Sequence, residues 1–215
     1  MLTLEAYKMP SNMSDKKISF SLYFLEKINP LSHDFKVFYQ KCVKHAYYKK
    51  GEFLNSSGTI CNKLFYIKKG IIRGFHIIEK KEITTWLSSD NELVTSITGF
   101  FKNTSAKESM QAIEDTYVEY LEYNDFQKAL DKFPEMTKIF TSLLIEYYIH
   151  AENRTLISRI PSAKGRFNHF LKAGNAFLLD RAPHKYLASL LSMRPETFSR
   201  LLSTYQIDLV SEIQS

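Results

Sequence analysis

One change of hydrophobic period limits the fold more than any other feature of the chain. From Lys44 to about Tyr123 the apolar residues come in short or alternating runs: "HAYYKKGEFL", "KLFYIKKGIIRGFHII", "EITTWL", "ELVTSI", "ESMQAIED" and "TYVEYLEY". Turn residues separate them at Gly51, at the "NSSG" ending in Gly58, at the "KKG" ending in Gly70, and at "SSDN" (88–91) and "KNTS" (102–105). Short strands at this spacing predict an antiparallel jelly roll or barrel. After Asn124 the period becomes helical and stays so, with Asn124 or Asp125 expected as the first cap. Strands that are complete before a run of helices begins define the α+β class.

The flanks follow the same logic. Residues 1–17 read as a flexible polar tail, and "SFSLYFLEKINPLSHDFKVFYQKCV" fits two short helices broken at Pro30. "PEMTKIFTSLLIEYYIHAENRTLISRI" places Pro134 in a first turn and stops at Pro161, a helix of roughly 26 residues or about 39 Å. Met136, Phe140, Leu143, Tyr147 and His150, continued by Arg154 and Ile157, step by four and three and read as a dimer stripe. Further apolar residues at Ile139, Leu144, Ile145, Tyr148 and Ile149 mean that the first half is buried on more than one side. Either one face covers the strands while the other meets a second copy, or the whole is an ordinary core helix of a monomer. Three short helical segments follow: "SAKGRFNHFLKAG", "HKYLASLL" and "PETFSRLLSTYQ".

The last of these has two unlike faces. Pro195 suits a first helical position and Glu196 lies by the positive end of the helix dipole. Phe198, Leu201, Leu202 and Tyr205 share one face; Glu196, Ser199, Arg200 and Ser203 share the opposite one. Only "SMR" separates this helix from the apolar Tyr186, Leu187, Leu190 and Leu191 of the preceding one, which makes a helix-turn-helix. In that motif the second helix enters the DNA major groove. Arg pairs with guanine, Glu accepts from the cytosine amino group and Ser contacts several bases, so Glu196, Ser199 and Arg200 are the candidate base readers. Lys185, Arg194 and Ser203 are candidate phosphate contacts. The plainer alternative is a solvated face in which Glu196 and Arg200 form an i, i+4 salt bridge.

Charge weighs on this choice. Lys and Arg outnumber Asp and Glu by 29 to 23, a net +6. Between Pro161 and Tyr205 there are seven cations, Lys164, Arg166, Lys172, Arg181, Lys185, Arg194 and Arg200, against only Asp180 and Glu196. Most of the excess thus sits around the helix-turn-helix, where double-stranded DNA is the expected partner. Cys42 and Cys61 form no CxxC pair and read as reduced packing thiols. No secretory leader and no run of about 18 apolar residues is present, so the expected compartment is the cytoplasm and no membrane partner is expected. A cupin-like metalloenzyme would need converging imidazoles, yet no HxH occurs and His76 is the only histidine between Phe53 and Tyr123. No metal, cofactor or catalysis is expected.

"RPETFSRLLSTYQ" closely resembles the recognition helix of the Crp/Fnr family of bacterial transcription regulators, the group of the cyclic-AMP receptor protein and the fumarate-nitrate regulator. The likeness extends over nearly the whole chain. "YYKKGEFLNSSGTICNKLFYIKKGIIRGF" resembles the first half of that family's cyclic-nucleotide-binding jelly roll, and "QAIEDTYVEYL" is similar to a late strand pair. The resemblance implies a sensor domain with its N-terminal helices at 18–132, a dimerisation helix at 133–160 and a helix-turn-helix domain at 161–215. Glu196, Ser199 and Arg200 match the ExxSR pattern of the fumarate-nitrate branch, which implies TTGA-like half-sites in an inverted repeat read by a homodimer. A small-molecule effector and RNA polymerase are the further partners the family implies.

The chain departs from that pattern where the family binds its ligand. Thr95 and Ser96 stand at the Gly-Glu pair, and Ala106 and Lys107 at the Arg-Ser pair that holds the cyclic phosphate. Without the bidentate Arg this effector pocket is degenerate, and cyclic AMP is not the expected effector. Lys107 offers at most a point charge; a register shift onto Gly99 still lacks a following acidic residue. The iron–sulfur cysteine cluster is missing, since residues 1–41 hold no Cys, and the six histidines show no pairing that selects a haem ligand. Ser192 replaces the usual turn Gly, at a cost on the order of 1 kcal/mol if it must be left-handed. "IDLVSEIQS" (207–215) leaves little room for a two-stranded wing, so the wing is expected to be reduced or missing. A reading from another class is a ligand- or protein-binding regulatory module whose helical tail docks on a protein partner.

Overall fold

The structure, a computed structural model, describes residues 19–213. The tail expected over residues 1–17 lies outside them. Two short helices open the described chain, α1 (Phe20–Ile28) and α2 (His33–Cys42), and the hydroxyls of Ser19 and Ser32 cap them by accepting from the N–H groups of Leu22 and Phe35. Pro30 falls in the break, as the spacing predicts.

The strands are β1 (Lys44–Tyr48), β2 (Phe53–Asn55), β3 (Lys63–Lys69), β4 (Ile72–Ile78), β5 (Lys81–Ser88), β6 (Leu93–Val94), β7 (Ser109–Ala112) and β8 (Thr116–Glu122). They form two four-stranded sheets, ordered β1-β8-β3-β6 and β2-β7-β4-β5, with every pairing antiparallel. Alternation sends Phe65, Ile67 and Val118 of the first sheet and Ile72 and Met110 of the second into one buried cluster. β7 and β8, which read as a strand pair, are divided between the sheets instead. Gly74 makes room for the Trp86 indole, whose nearest atom lies 2.0 Å from where a Cβ would stand.

Glu119 on β8 joins α1 to the barrel. Only 1% exposed, its carboxylate accepts from the Phe20 N–H (2.9 Å), the Ser21 N–H (2.8 Å) and the Ser19 hydroxyl (2.6 Å), so its charge faces the positive end of α1.

The run "ELVTSI" gives only two strand residues. Ser96 then caps a short helix, α3 (Ile97–Phe101), by accepting from the Gly99 N–H, and Phe100 is fully buried against Phe126. Packing overrides an alternation that is too short to specify a strand. α4 (Tyr123–Lys132) starts before either expected cap: Glu122 holds the cap position without a side-chain bond, and Asp125 sits in the first turn. α5 (Pro134–Arg159) has the expected 26 residues, with Ile160 as its C-cap.

The first half of the stripe expected to meet a second copy, Met136, Phe140 and Leu143, is turned toward the barrel, while Tyr147 and His150 are exposed. Met136 is 2% exposed, Phe140 packs on Phe101 and Phe126, and Leu143 joins the same cluster. Tyr147 and His150 line an apolar cleft against Leu64 and Leu93. The strands need a cover, and this is the face of α5 that supplies it. The apolar side chains of α5 left exposed are Leu144, Ile145, Tyr147, Tyr148, Ile149 and Leu156.

Beyond Pro161 come α6 (Ala163–Lys172), a 3-10 turn at 175–177, α7 (Leu178–Arg181), α8 (His184–Leu190) and α9 (Pro195–Ile213). The 3-10 turn and α7 are too short to show a period and were not expected. α9 runs seven residues past Gln206: no Gly or Pro interrupts 196–213, and among the described residues this segment is helix, not a wing. The core of the C-terminal helices, Phe167, Leu187 and Phe198, is continuous with Ile71 and Ile113 of the barrel.

Candidate nucleic-acid interface and barrel interior

α8 and α9 form the helix-turn-helix. Leu187 and Ala188 of α8 and Phe198 of α9 are fully buried, and Phe198 meets the Phe167 ring of α6 edge-on at 5.6 Å. Burial of a Phe of this kind contributes about 2–3 kcal/mol, enough to decide which face of α9 turns inward. The turn between the helices holds Ser192, which stands at the position the resemblance gives to Gly, in the left-handed region with φ 51°.

A residue counted in the sequence only as a cation holds that turn. The guanidinium of Arg166 on α6 donates to Leu191 O (2.7 Å) and Ser192 O (3.1 Å) in the turn, and to Ile160 O (2.7 Å) and Pro161 O (3.1 Å) at the end of α5. One planar fork thus fixes the helix-turn-helix to the exit of the long helix. Backbone carbonyls carry no sequence signature, so no motif search would have found this contact.

On the outer face of α9, Glu196, Ser199, Arg200 and Ser203 are exposed, and Arg194 and Lys185 are exposed beside them. Ser203 gives its hydroxyl proton to Ser199 O at 3.0 Å. Among the described residues Glu196 and Arg200 make no ion pair with each other or with any third group, so the salt-bridged alternative does not occupy them. The face presents a carboxylate, a hydroxyl and a guanidinium within its first turns, all free to accept or donate outward.

The four pocket positions behave differently. Thr95, Ser96 and Ala106 gather around Gly99 and Cys61: a Cβ on Gly99 would lie 3.0 Å from Cys61 Cβ, 3.1 Å from Ser96 Oγ and 3.2 Å from Ala106 Cα. Thr95 donates its hydroxyl to Lys63 O at 2.8 Å, Ser96 caps α3, and Ala106 is 3% exposed in the interior cluster. Lys107 is exposed. Among the described residues no guanidinium points into this corner, and the hydroxyls of Thr95 and Ser96, already bonded to Lys63 O and the Gly99 N–H, do not fit a cyclic phosphate.

The fully buried Arg of the barrel, Arg73 on β4, lies on the opposite face of its sheet. It is 2% exposed, donates to Gln111 (2.9 and 2.6 Å) and Glu82 (2.6 Å), and lies between the rings of Phe75 (4.0 Å) and Tyr186 of α8 (3.8 Å). Close by, Ser189 of α8 accepts from the Thr84 N–H at 2.9 Å. Arg181 of α7 binds Asp90 (2.7 Å) and Glu114, and the bonds to these carboxylates hold its guanidinium above its ordinary value.

Residues 45–133, the barrel strands with α4, match the family model of the cyclic nucleotide-binding domain. The whole arrangement of barrel, long helix and C-terminal helices is similar to solved bacterial proteins. FixK2 from Bradyrhizobium japonicum is 17% identical with a TM-score of 0.66, over 77% of this chain and 85% of that one. A CooA mutant from Carboxydothermus hydrogenoformans is 21% identical with a TM-score of 0.63, over 85% of this chain and 84% of that one. The Catabolite Activator Protein of Thermus thermophilus is 20% identical with a TM-score of 0.50, over 86% of this chain and 87% of that one. At these identities the likeness is one of fold. No curated protein sequence matches the chain, and no described helix is long and apolar enough to cross a membrane.

Proposed function

We propose that the chain is a sequence-specific DNA-binding transcription regulator of the Crp/Fnr type, acting as a homodimer on an inverted-repeat operator. The observation that carries this reading is the exposed, unpaired row of Glu196, Ser199 and Arg200 on a helix whose other face is anchored by the buried Phe198. Arg200 reads guanine, Glu196 and Ser199 read neighbouring bases, and Lys185, Arg194 and Ser203 hold phosphates. The fumarate-nitrate-like ExxSR pattern implies TTGA half-sites. The apolar ridge of α5, with Tyr148 64% exposed, is the surface a second copy would cover. The bonded and filled corner around Gly99 supports a sensor that does not take cyclic AMP.

Fluorescence anisotropy of a duplex carrying TTGA inverted repeats, against a scrambled duplex at about 150 mM salt, tests the reading. Tighter binding to the repeat, lost in Arg200→Ala and falling steeply with added salt, is the expected result. Equal binding to both duplexes, insensitive to salt, would favour a helical tail that docks on protein.

A further inference from the structure

The reader is fastened to its own barrel at a second place besides the end of α5. α8 lies on the outward face of the β4–β5 sheet, and the seam is polar at points where a packing interface would be apolar. Arg73 is closed between Phe75 and Tyr186, the Thr84 N–H meets Ser189, and Arg181 bridges Asp90 and Glu114. Asp90 is itself held in place, since its carboxylate accepts from the Gly70 N–H at 2.6 Å. Two buried polar atoms at this seam, Arg73 Nη1 and Thr84 Oγ1, have no partner among the described residues. A buried cation with an unmet donor is a poor source of stability, and a good way to specify one geometry among several.

We propose that Arg73 and Arg181 are positioning residues that set α9 relative to the barrel, so that the two readers of a dimer stand at operator spacing with no effector bound. This rests on the DNA-reading function proposed above. Two features point to the fastened state as the reading state. The base-reading face stays exposed while α8 is docked, so docking does not hide it. The barrel corner that would otherwise take a controlling nucleotide is occupied by its own side chains, which leaves the setting of the reader to contacts within the chain. A reader fixed at the right span gains from its second half-site through effective concentration, and a loosely tethered one gains much less.

The test compares wild type, Arg181→Gln and Arg73→Gln/Arg181→Gln on the inverted repeat and on a duplex with one half-site. Arg181 is partly exposed, so its single substitution leaves the fold intact, as far-UV circular dichroism will confirm. The expected result is a loss of about tenfold on the repeat in the double variant, a smaller loss in the single one, and less than twofold on the lone half-site in both. Equal weakening on the two duplexes would mean that the residues merely support the fold of the reader; unchanged or tighter binding to the repeat would overturn the proposal outright. Small-angle X-ray scattering gives a readout without DNA. A larger maximum dimension in the double variant supports the fastening, and an unchanged one refutes it, even if wild type binds neither duplex and the DNA reading itself fails.

Discussion

Replacing Arg166 isolates the contribution of one side chain to the geometry of the α8–α9 pair. Its guanidinium makes four bonds to carbonyls, two of them at 2.7 Å, and Leu191 O and Ile160 O accept those two. A hydrogen bond from a charged group contributes roughly 1.5–3 kcal/mol net. The bonds to Pro161 and Ser192 end on exposed residues, where water substitutes, so the two short bonds set the scale. Arg166→Met, which keeps the stem and removes the fork, should lower stability by about 3–4 kcal/mol. Arg166→Lys keeps the charge but reaches only one carbonyl cluster at a time, and should lose about half as much. Urea unfolding followed by far-UV circular dichroism measures both. A loss under about 1 kcal/mol in Arg166→Met, or a Lys variant equal to wild type, would refute the view that a planar fork holds the turn to the end of α5.

Ser192→Gly should stabilise the protein by about 0.5–1 kcal/mol, because left-handed strain of about 1–2 kcal/mol exceeds the unfolded-state entropy that glycine adds; a lower Tm in the variant would contradict the φ of 51°. Glu119→Gln should cost about 2–3 kcal/mol and speed amide exchange over residues 19–28, since its amide opposes donors already aimed at a carboxylate. Burial raises the Glu92 carboxyl above the ordinary carboxylate range, with bonds from Ser88 and Ser89 only partly offsetting it. The unfolded chain therefore releases that proton first, and stability falls as pH rises through the folded value. Glu92→Gln should remove this slope, raising the urea midpoint at pH 7 more than at pH 4; the same gain at both would show that the carboxyl is not the cause.

Legibility in the sequence followed the length of the signal. The 26-residue α5, bounded by Pro134 and Pro161, was readable to within a residue because two prolines and seven turns of helix agree. The two faces of α9 were readable because Phe198, Leu202 and their neighbours repeat over two turns. α3 and α7 have five and four residues, less than the window a period needs, and their existence depends on what Phe100 and Leu178 bury against. The face of α5 that covers the barrel could not be chosen from sequence, because both faces are apolar and only the position of the strands separates them. Arg166, Arg73 and Arg181 counted as charge in the sequence; their roles come from carbonyls, rings and carboxylates brought together by the fold, such as Leu191 O, the Tyr186 ring and Asp90.

The close packing around Gly99 makes a phosphate site in this corner costly to build. Ala106 sits 3% exposed among Cys61, Phe65 and Met110, so an arginine there would bury an unpaired charge in an apolar interior, at several kcal/mol. A carboxylate at Ser96 would at the same time remove the hydroxyl that caps α3. A ligand-binding input is therefore more readily added to this fold at another surface than in this corner.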